Sequence, residues 1–335
     1  MINVAIIGFG GIAKAAHLGP YLQLEKDGLI KLVAVCDICP ERFEEKAEIN
    51  IGESDLMLDK SVNKYADYKE MLEKESIDMV DICLPTYLHA EATIYALNAG
   101  CHVLCEKPMS LNFELCQDMI NAANKNGKKL MIGQCLRFFN IYNYLKDAVT
   151  NKTFGDVKGG VFFRSSAPPI WGWENWFMNY EKSQGCITDM HVHDVDMIRY
   201  LFGEPAAVSC QTQDIYSKKD AAYSTLKYPD FSMLAIGDWS QEGTAFSFGY
   251  RISFEKAIVD CAGGKLTVYP RGAEAYCPEM PVDDCYFNEI KFFVESIESN
   301  GENLANPPES AATTIKLVNK LIESSNKNGE YLPFA

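Results

Sequence analysis

Asp189 and His193 stand four residues apart in the stretch Cys186-Ile-Thr-Asp-Met-His-Val-His-Asp-Val-Asp-Met-Ile-Arg-Tyr-Leu-Phe-Gly203. From Val192 on, Val192, Val195, Ile198 and Phe202 recur at steps of three and four, the spacing of a helix with one buried face. Asp189, His193, Asp196 and Tyr200 then form a second stripe on the same helix. A carboxylate and an imidazole one turn apart can hold a substrate hydroxyl and take its proton; the plainer reading is a capping Asp and a satisfied, partly buried His. His191 raises a metal site, with Asp189, Asp194 and Asp196 as further donors. Residues two apart on a helix point about 200° away from each other, so His191 and His193 do not share an ion there, and no metal is expected.

An acid-base pair acting on a hydroxyl needs a hydride acceptor, and the N-terminal third supplies the elements to hold one. Asn3-Val-Ala-Ile-Ile7 is a short apolar run of the buried parallel-strand kind. It leads into Gly8-Phe9-Gly10-Gly11-Ile12-Ala13, a G-x-G-x-x-A set between a strand and a helical pattern. Gly8 allows the tight turn, Gly10 lets the backbone approach a pyrophosphate, and Ala13 lets helix and strand pack closely. The amides and the helix dipole then face the phosphates. A second strand ends at Asp37, 24 positions after Ala13. Its carboxylate suits a ribose diol and repels a 2'-phosphate, so NAD is favoured over NADP. The alternation continues with helices expected over 41–48, 68–74 and 89–99 and strands over 79–84 and 102–105. The last strand runs into Glu106-Lys107-Pro108, and ends of parallel strands are where such sheets place ligands, which puts Lys107 in the cofactor crevice.

The second half changes character. Strands are expected over 156–165, 206–213, 231–239, 244–253, 256–261 and 265–269, forming a mostly antiparallel sheet. Helices over 140–148, 192–201 and 288–299 cover one face, and the other face calls for association into an oligomer. The predicted organisation is two α/β domains: residues 1–125, a doubly wound parallel Rossmann sheet, and residues 126–335, a large open sheet. A terminal helix over 309–325 is placed to return to the first domain. Three of the four tryptophans, Trp171, Trp173 and Trp176, fall in one segment. They suggest a wall for a sugar or cyclitol, against the alternative of a loop anchor or an interface.

Composition narrows the class. The chain has 335 residues, 47% hydrophobic and 23% charged, which is ordinary for two globular cores. A formal net charge of -15 repels nucleic acid and anionic membranes. No apolar run spans a membrane and no basic segment precedes the first strand, so a cytoplasmic protein is expected. Twelve cysteines in such a chain read as reduced thiols. Cys36-Asp-Ile-Cys39 lacks the second ligand pair a zinc site needs.

Gly8-Phe-Gly-Gly-Ile-Ala13, Val-Ala-Val-Cys-Asp37, Leu84-Pro-Thr-Tyr-Leu-His89, Ala99-Gly-Cys-His-Val-Leu-Cys-Glu-Lys-Pro108 and Asp189-x-x-x-His193 together resemble the Gfo/Idh/MocA family, named for glucose-fructose oxidoreductase and inositol dehydrogenase. The resemblance runs in order over nearly the whole chain. It implies a Rossmann domain followed by an α/β domain that assembles through its sheet into dimers or tetramers. It implies Lys107 and His193 as the catalytic pair with Asp189 beside them. It also implies that Leu84, Pro85, Thr86, His89, Glu106 and Lys107 join Gly8, Phe9, Gly10, Gly11, Ile12 and Asp37 at the cofactor. Arg137, in a segment that matches the family's Arg-rich one loosely, and the tryptophans are expected at the substrate, and His191 stands where a glycine is frequent. The expected activity is NAD-dependent oxidation of a secondary hydroxyl of a sugar, inositol or related polyol. The competing readings are a redox-neutral enzyme such as an NAD-dependent glycosidase and a ligand-sensing regulator without turnover.

Overall fold

The computed structural model describes residues 1–49, 52–282, 284–301, 303 and 305–334. Two compact units divide the chain: Met1–Cys135 with Asp284–Ala312, and Leu136–Asp283 with Thr313–Ala335.

In the first unit β1 (Ile2–Ile7) leads through a π-helical turn, Ala13–His17, into α1 (Leu18–Lys26). After β2 (Ile30–Cys36) the expected helix over 41–48 is absent. Pro40–Phe43 makes one 3-10 turn, and Ala47–Ile49 (β3) pairs with Gly52–Ser54 (β4) in a small ribbon. Of that turn only Phe43 is buried, so no apolar stripe exists to hold a longer helix. There follow β5 (Asn63–Tyr65), α2 (Tyr68–Lys74), β6 (Met79–Ile82), α3 (His89–Asn98), β7 (His102–Glu106), α4 (Phe113–Asn126) and β8 (Leu130–Gly133). The sheet order is β5-β2-β1-β6-β7-β8 with every pairing parallel. The order reverses between β1 and β6, and the crevice beyond the strand ends there is where such sheets bind dinucleotides.

The boundary between the units falls after β8, at Cys135–Leu136, beyond the expected division at 125/126. Gly127 is the left-handed cap of α4, at φ 60°, and not a linker residue.

The second unit holds α5 (Asn140–Thr150), β9 (Val157–Ser165), α6 (Tyr180–Ser183), α7 (Cys186–Asp189), α8 (Val192–Phe202), β10 (Ala207–Gln213), β11 (Ala221–Lys227), β12 (Ser232–Asp238), β13 (Ser247–Phe254), β14 (Ala257–Ala262) and β15 (Lys265–Pro270). Beyond these lie α9 (Cys285–Glu298), α10 (Pro308–Asn326) and β16 (Leu332–Pro333). The eight-stranded order is β15-β14-β13-β9-β12-β11-β10-β16, antiparallel except where β9 meets β12. The mostly antiparallel sheet expected from the sequence is therefore present, with β11 and β16 added. In contrast to expectation, α9 belongs to the first unit, where its buried Ile290, Phe293 and Val294 pack in the layer beside α1. The first turn of α10, to Ala312, is grouped with the first unit and the rest, from Thr313, with the second. Among the described residues no helix is long and apolar enough to cross a membrane.

Candidate active site

The glycine-rich turn is built as its spacing demands. Gly8 sits at φ +89°, and a Cβ there would lie 2.7 Å from the Cys83 carbonyl oxygen, so β1 and the end of β6 can approach only with glycine between them. Gly10 has open space except for one Arg42 guanidinium nitrogen, 3.7 Å from where its Cβ would be. Gly11 and Ile12 are half-buried at the start of the helix. Phe9 plays two parts: its ring is 2% exposed, packed near Phe43, and its backbone N–H donates to Asp37 Oδ2 at 2.8 Å. Asp37 Oδ1 accepts from the Cys39 N–H at 2.8 Å. Both oxygens are thus pinned by backbone donors, which fixes the carboxylate at the end of β2 with a lone pair left on each for a ribose hydroxyl. Arg42 and Lys14, whose ammonium lies 5.3 Å from the Phe9 ring centre, put two cations beside the loop that is to meet a pyrophosphate.

At the end of β7, half-buried Lys107 follows buried Glu106, and the Lys107 N–H donates to Glu106 Oε2 at 3.0 Å. Leu84 and Pro85 are half-buried in the loop after β6, and Thr86, 3% exposed, begins the next turn. His89 is 1% exposed, and its ring nitrogens lie 2.7 Å from the Leu84 oxygen and 2.8 Å from the Pro108 oxygen. It ties together the loops that leave β6 and β7. Burial draws its pKa down, against the two carbonyls that favour the charged ring.

In the second unit Asp189 ends α7 and His193 lies in the first turn of α8, so the single helix expected over both is interrupted. Met190 and His191 keep helical backbone angles, but the His191 N–H reaches back five residues to the Cys186 oxygen. The interruption seats His191 inward. It is fully buried, 2.8 Å from Ser224 Oγ, and burial lowers its pKa to about 3, so it stays neutral. The rest of the expected stripe is committed elsewhere. Asp196, 1% exposed, takes a two-pronged ion pair from Arg137 at 2.8 and 2.7 Å, plus the Thr314 hydroxyl. Arg137, 3% exposed, also stacks 4.6 Å from the Tyr200 ring centre. Arg137, expected at the substrate, thus has its guanidinium engaged by Asp196 and Tyr200. Asp194 is likewise buried against Arg164. Asp189 and His193 remain half-buried.

The tryptophans divide. Trp176 stacks on Phe177 at 3.9 Å and is 7% exposed, which anchors its loop. Trp171 is 38% exposed and Trp173 half-buried. All twelve cysteines are free thiols. Among the described residues, one group of metal-type donors lies within 4.8 Å of one another, His17, Asp81 and Cys83, and it excludes His191. Sequence reading missed His17, Arg42 and Glu289. The only local signal was a histidine one turn after Ala13.

Residues 2–134 match the oxidoreductase family GFO_IDH_MocA, NAD-binding Rossmann fold, and residues 142–259 match the GFO/IDH/MocA C-terminal domain. The D-glucoside 3-dehydrogenase of Escherichia coli K12 is 33% identical over 62% of this chain and 56% of its own length. The 2,7-anhydro-N-acetylneuraminate hydratase of the same strain is 27% identical over 74% of this chain and 63% of its own. The chain thus spans less than two thirds of either relative. Among solved structures, the aldose-aldose oxidoreductase of Caulobacter crescentus, complexed with glycerol, superposes with a TM-score of 0.84 at 21% identity, covering 99% of both chains. The two family matches take in well over half of the sequence, one on each sheet, and the first sheet carries its glycine turn and Asp37 at the switch point as an NAD-binding domain requires; the chain belongs to the Gfo/Idh/MocA oxidoreductase family.

Proposed function

We propose that the protein is an NAD-dependent dehydrogenase that oxidises a secondary hydroxyl of a sugar, inositol or related polyol, or runs the reverse reduction. The observation that carries this reading is Lys107, half-buried at the strand end two positions from the switch point, with its backbone fixed by Glu106. NAD, when bound, supplies the hydride acceptor. The chain's own groups handle the proton: His193 takes it from the hydroxyl, the Lys107 ammonium stabilises the developing alkoxide, and Asp189 orients the imidazole. The similarity to a D-glucoside 3-dehydrogenase supports a carbohydrate substrate. Screening sugars and cyclitols with NAD for NADH absorbance tests it. Lys107→Ala and His193→Ala should each lower turnover by roughly 100-fold or more, the scale for losing a positioned acid-base group, with NADH binding retained. Full turnover in either variant would defeat the assignment.

A second reading is redox-neutral chemistry, in which the substrate is oxidised and reduced again. The similarity to a hydratase favours keeping it. Its mark is cofactor that stays with the purified protein and product formed with no net NADH.

A further inference from the structure

Beneath the Lys107 strand end lies a buried polar cluster that no step above uses. His17, at the end of the π-helical turn, is fully buried, with Nδ1 2.7 Å from Asp81 Oδ2 and Nε2 2.9 Å from Glu106 Oε1. Each ring nitrogen faces an acceptor, and only an imidazolium donates from both. The Glu106 side chain has room because Gly133 stands opposite it on β8, where a Cβ would come within 3.2 Å of Oε1. Its second oxygen takes the Lys107 N–H at 3.0 Å.

We propose that His17 is a positioning residue: held as an imidazolium between Asp81 and Glu106, it fixes the Glu106 carboxylate and through it the backbone of Lys107. The helix that starts at the glycine turn is thereby joined to the strand end that carries the lysine. Burial alone would lower the His17 pKa, but the Asp81 charge and the hydrogen bonds to Asp81 and Cys83 raise it well above 6.5. Burial pushes Cys83 itself up to about 12, so at neutral pH the thiol is uncharged and the carboxylates hold the proton in place. Among the other groups facing the cluster, Lys107 turns a positive charge toward Glu106. Tyr21 of α1, and Tyr286 and Glu289 of α9, are all pushed well above their ordinary values, chiefly by burial. Cys285, next to Tyr286, is raised by its hydrogen bond to Cys135 and by burial.

This inference rests on Lys107 being catalytic, and its test separates the two. Nitrogen-15 NMR of the full chain labelled at histidine, with His17→Gln to identify the signal, should show both His17 ring nitrogens protonated at about pH 8, where a free imidazole is neutral. Glu106→Gln should pull that titration to lower pH. In His17→Gln the NADH dissociation constant should stay within about threefold of the parent, while kcat falls about tenfold with little change in KM. The pH profile of kcat should shift in His17→Gln relative to the parent, because a positive charge beneath the strand end has gone. A neutral His17 ring at pH 8, or stoichiometric zinc held by His17, Asp81 and Cys83 in the purified chain, would overturn the proposal. So would an unshifted pH profile with kcat unchanged. If Lys107→Met retains full turnover, the functional reading fails while the His17 signature still stands or falls by NMR. If His17→Gln does not fold, the parent and Glu106→Gln spectra decide.

Discussion

At the scale of single residues, placement of charge decides what each group does. Asp37 is pinned by two backbone N–H donors at the end of β2, and a carboxylate there repels a 2'-phosphate. Native protein should therefore bind NAD well ahead of NADP. Asp37→Ser should weaken NAD about tenfold, the value of hydrogen bonds to a charged acceptor, and narrow the preference. Titration calorimetry with both cofactors checks this, and equal affinities in the native protein would refute it. Glu289 makes a second case. It is fully buried, both carboxyl oxygens lack hydrogen-bond partners among the described residues, and burial with the charges of Cys135 and Glu106 raises its pKa well above 4.5. A raised carboxyl pKa favours the folded state only below the unfolded value, so stability is lost as pH climbs from 4.5 toward the native pKa. His17 acts in the same sense at higher pH: its contribution is complete below 6.5 and lost as pH rises through its elevated native pKa. Glu289→Gln should accordingly add about 1 kcal/mol in urea unfolding at alkaline pH and little at pH 4. A gain of equal size at both pH values would disprove the linkage.

At the scale of elements, what was legible in the sequence was what local pattern encodes. The strand, glycine turn and acidic end over Asn3 to Asp37 read correctly because each signal lies within one or two elements. The same holds for α2 and α3, bounded by Asp67 as a capping acceptor and by Gly100. His17 was not legible, because its partners are 64 and 89 residues away and no periodicity announces them. Asp196 looked like part of a functional stripe, since sequence cannot show that Arg137, 59 residues earlier, would claim it. His191 packs against Gly237 of β12, and that seat accompanies the break between α7 and α8. A Cβ on Gly237 of β12 would lie 2.8 Å from the His191 Cβ and 2.9 Å from Nδ1. Gly237→Ala should therefore push the start of α8 away from the sheet, costing about 1–3 kcal/mol of stability and displacing His193. Thermal melts and turnover measured together test this. An alanine variant with unchanged melting and unchanged kcat would show that α8 is not seated through His191.

At the scale of the whole molecule, the second sheet has an inner face covered by helices and an outer face that remains uncovered in a single chain. On β12, Met233 and Ala235 are buried while Leu234 is 46% exposed, which is the alternation of a sheet with two different sides. Register places Leu234 opposite Thr225 of β11 and Val161 of β9, and Ile236 opposite Tyr223 and Phe163. Tyr223 is 45% exposed and Tyr269 of β15 43%. Tyr223, Leu234, Ile236, Val161 and Phe163 on the three adjacent strands β11, β12 and β9 thus form one apolar patch, and patches of that kind mark association surfaces. Further along the face Arg251 pairs with Asp260 at 2.7 Å, so its charges are already matched within the chain. A partner with the same face meets a largely neutral, apolar surface despite a net charge of -15. We therefore expect light scattering at micromolar concentration to give a multiple of 37.5 kDa. Leu234→Asp, which sets like charges against each other at the centre of a two-fold contact, should release the monomer while leaving NADH binding in place. A native chain that scatters as a 37.5 kDa monomer would remove the sheet face as an interface.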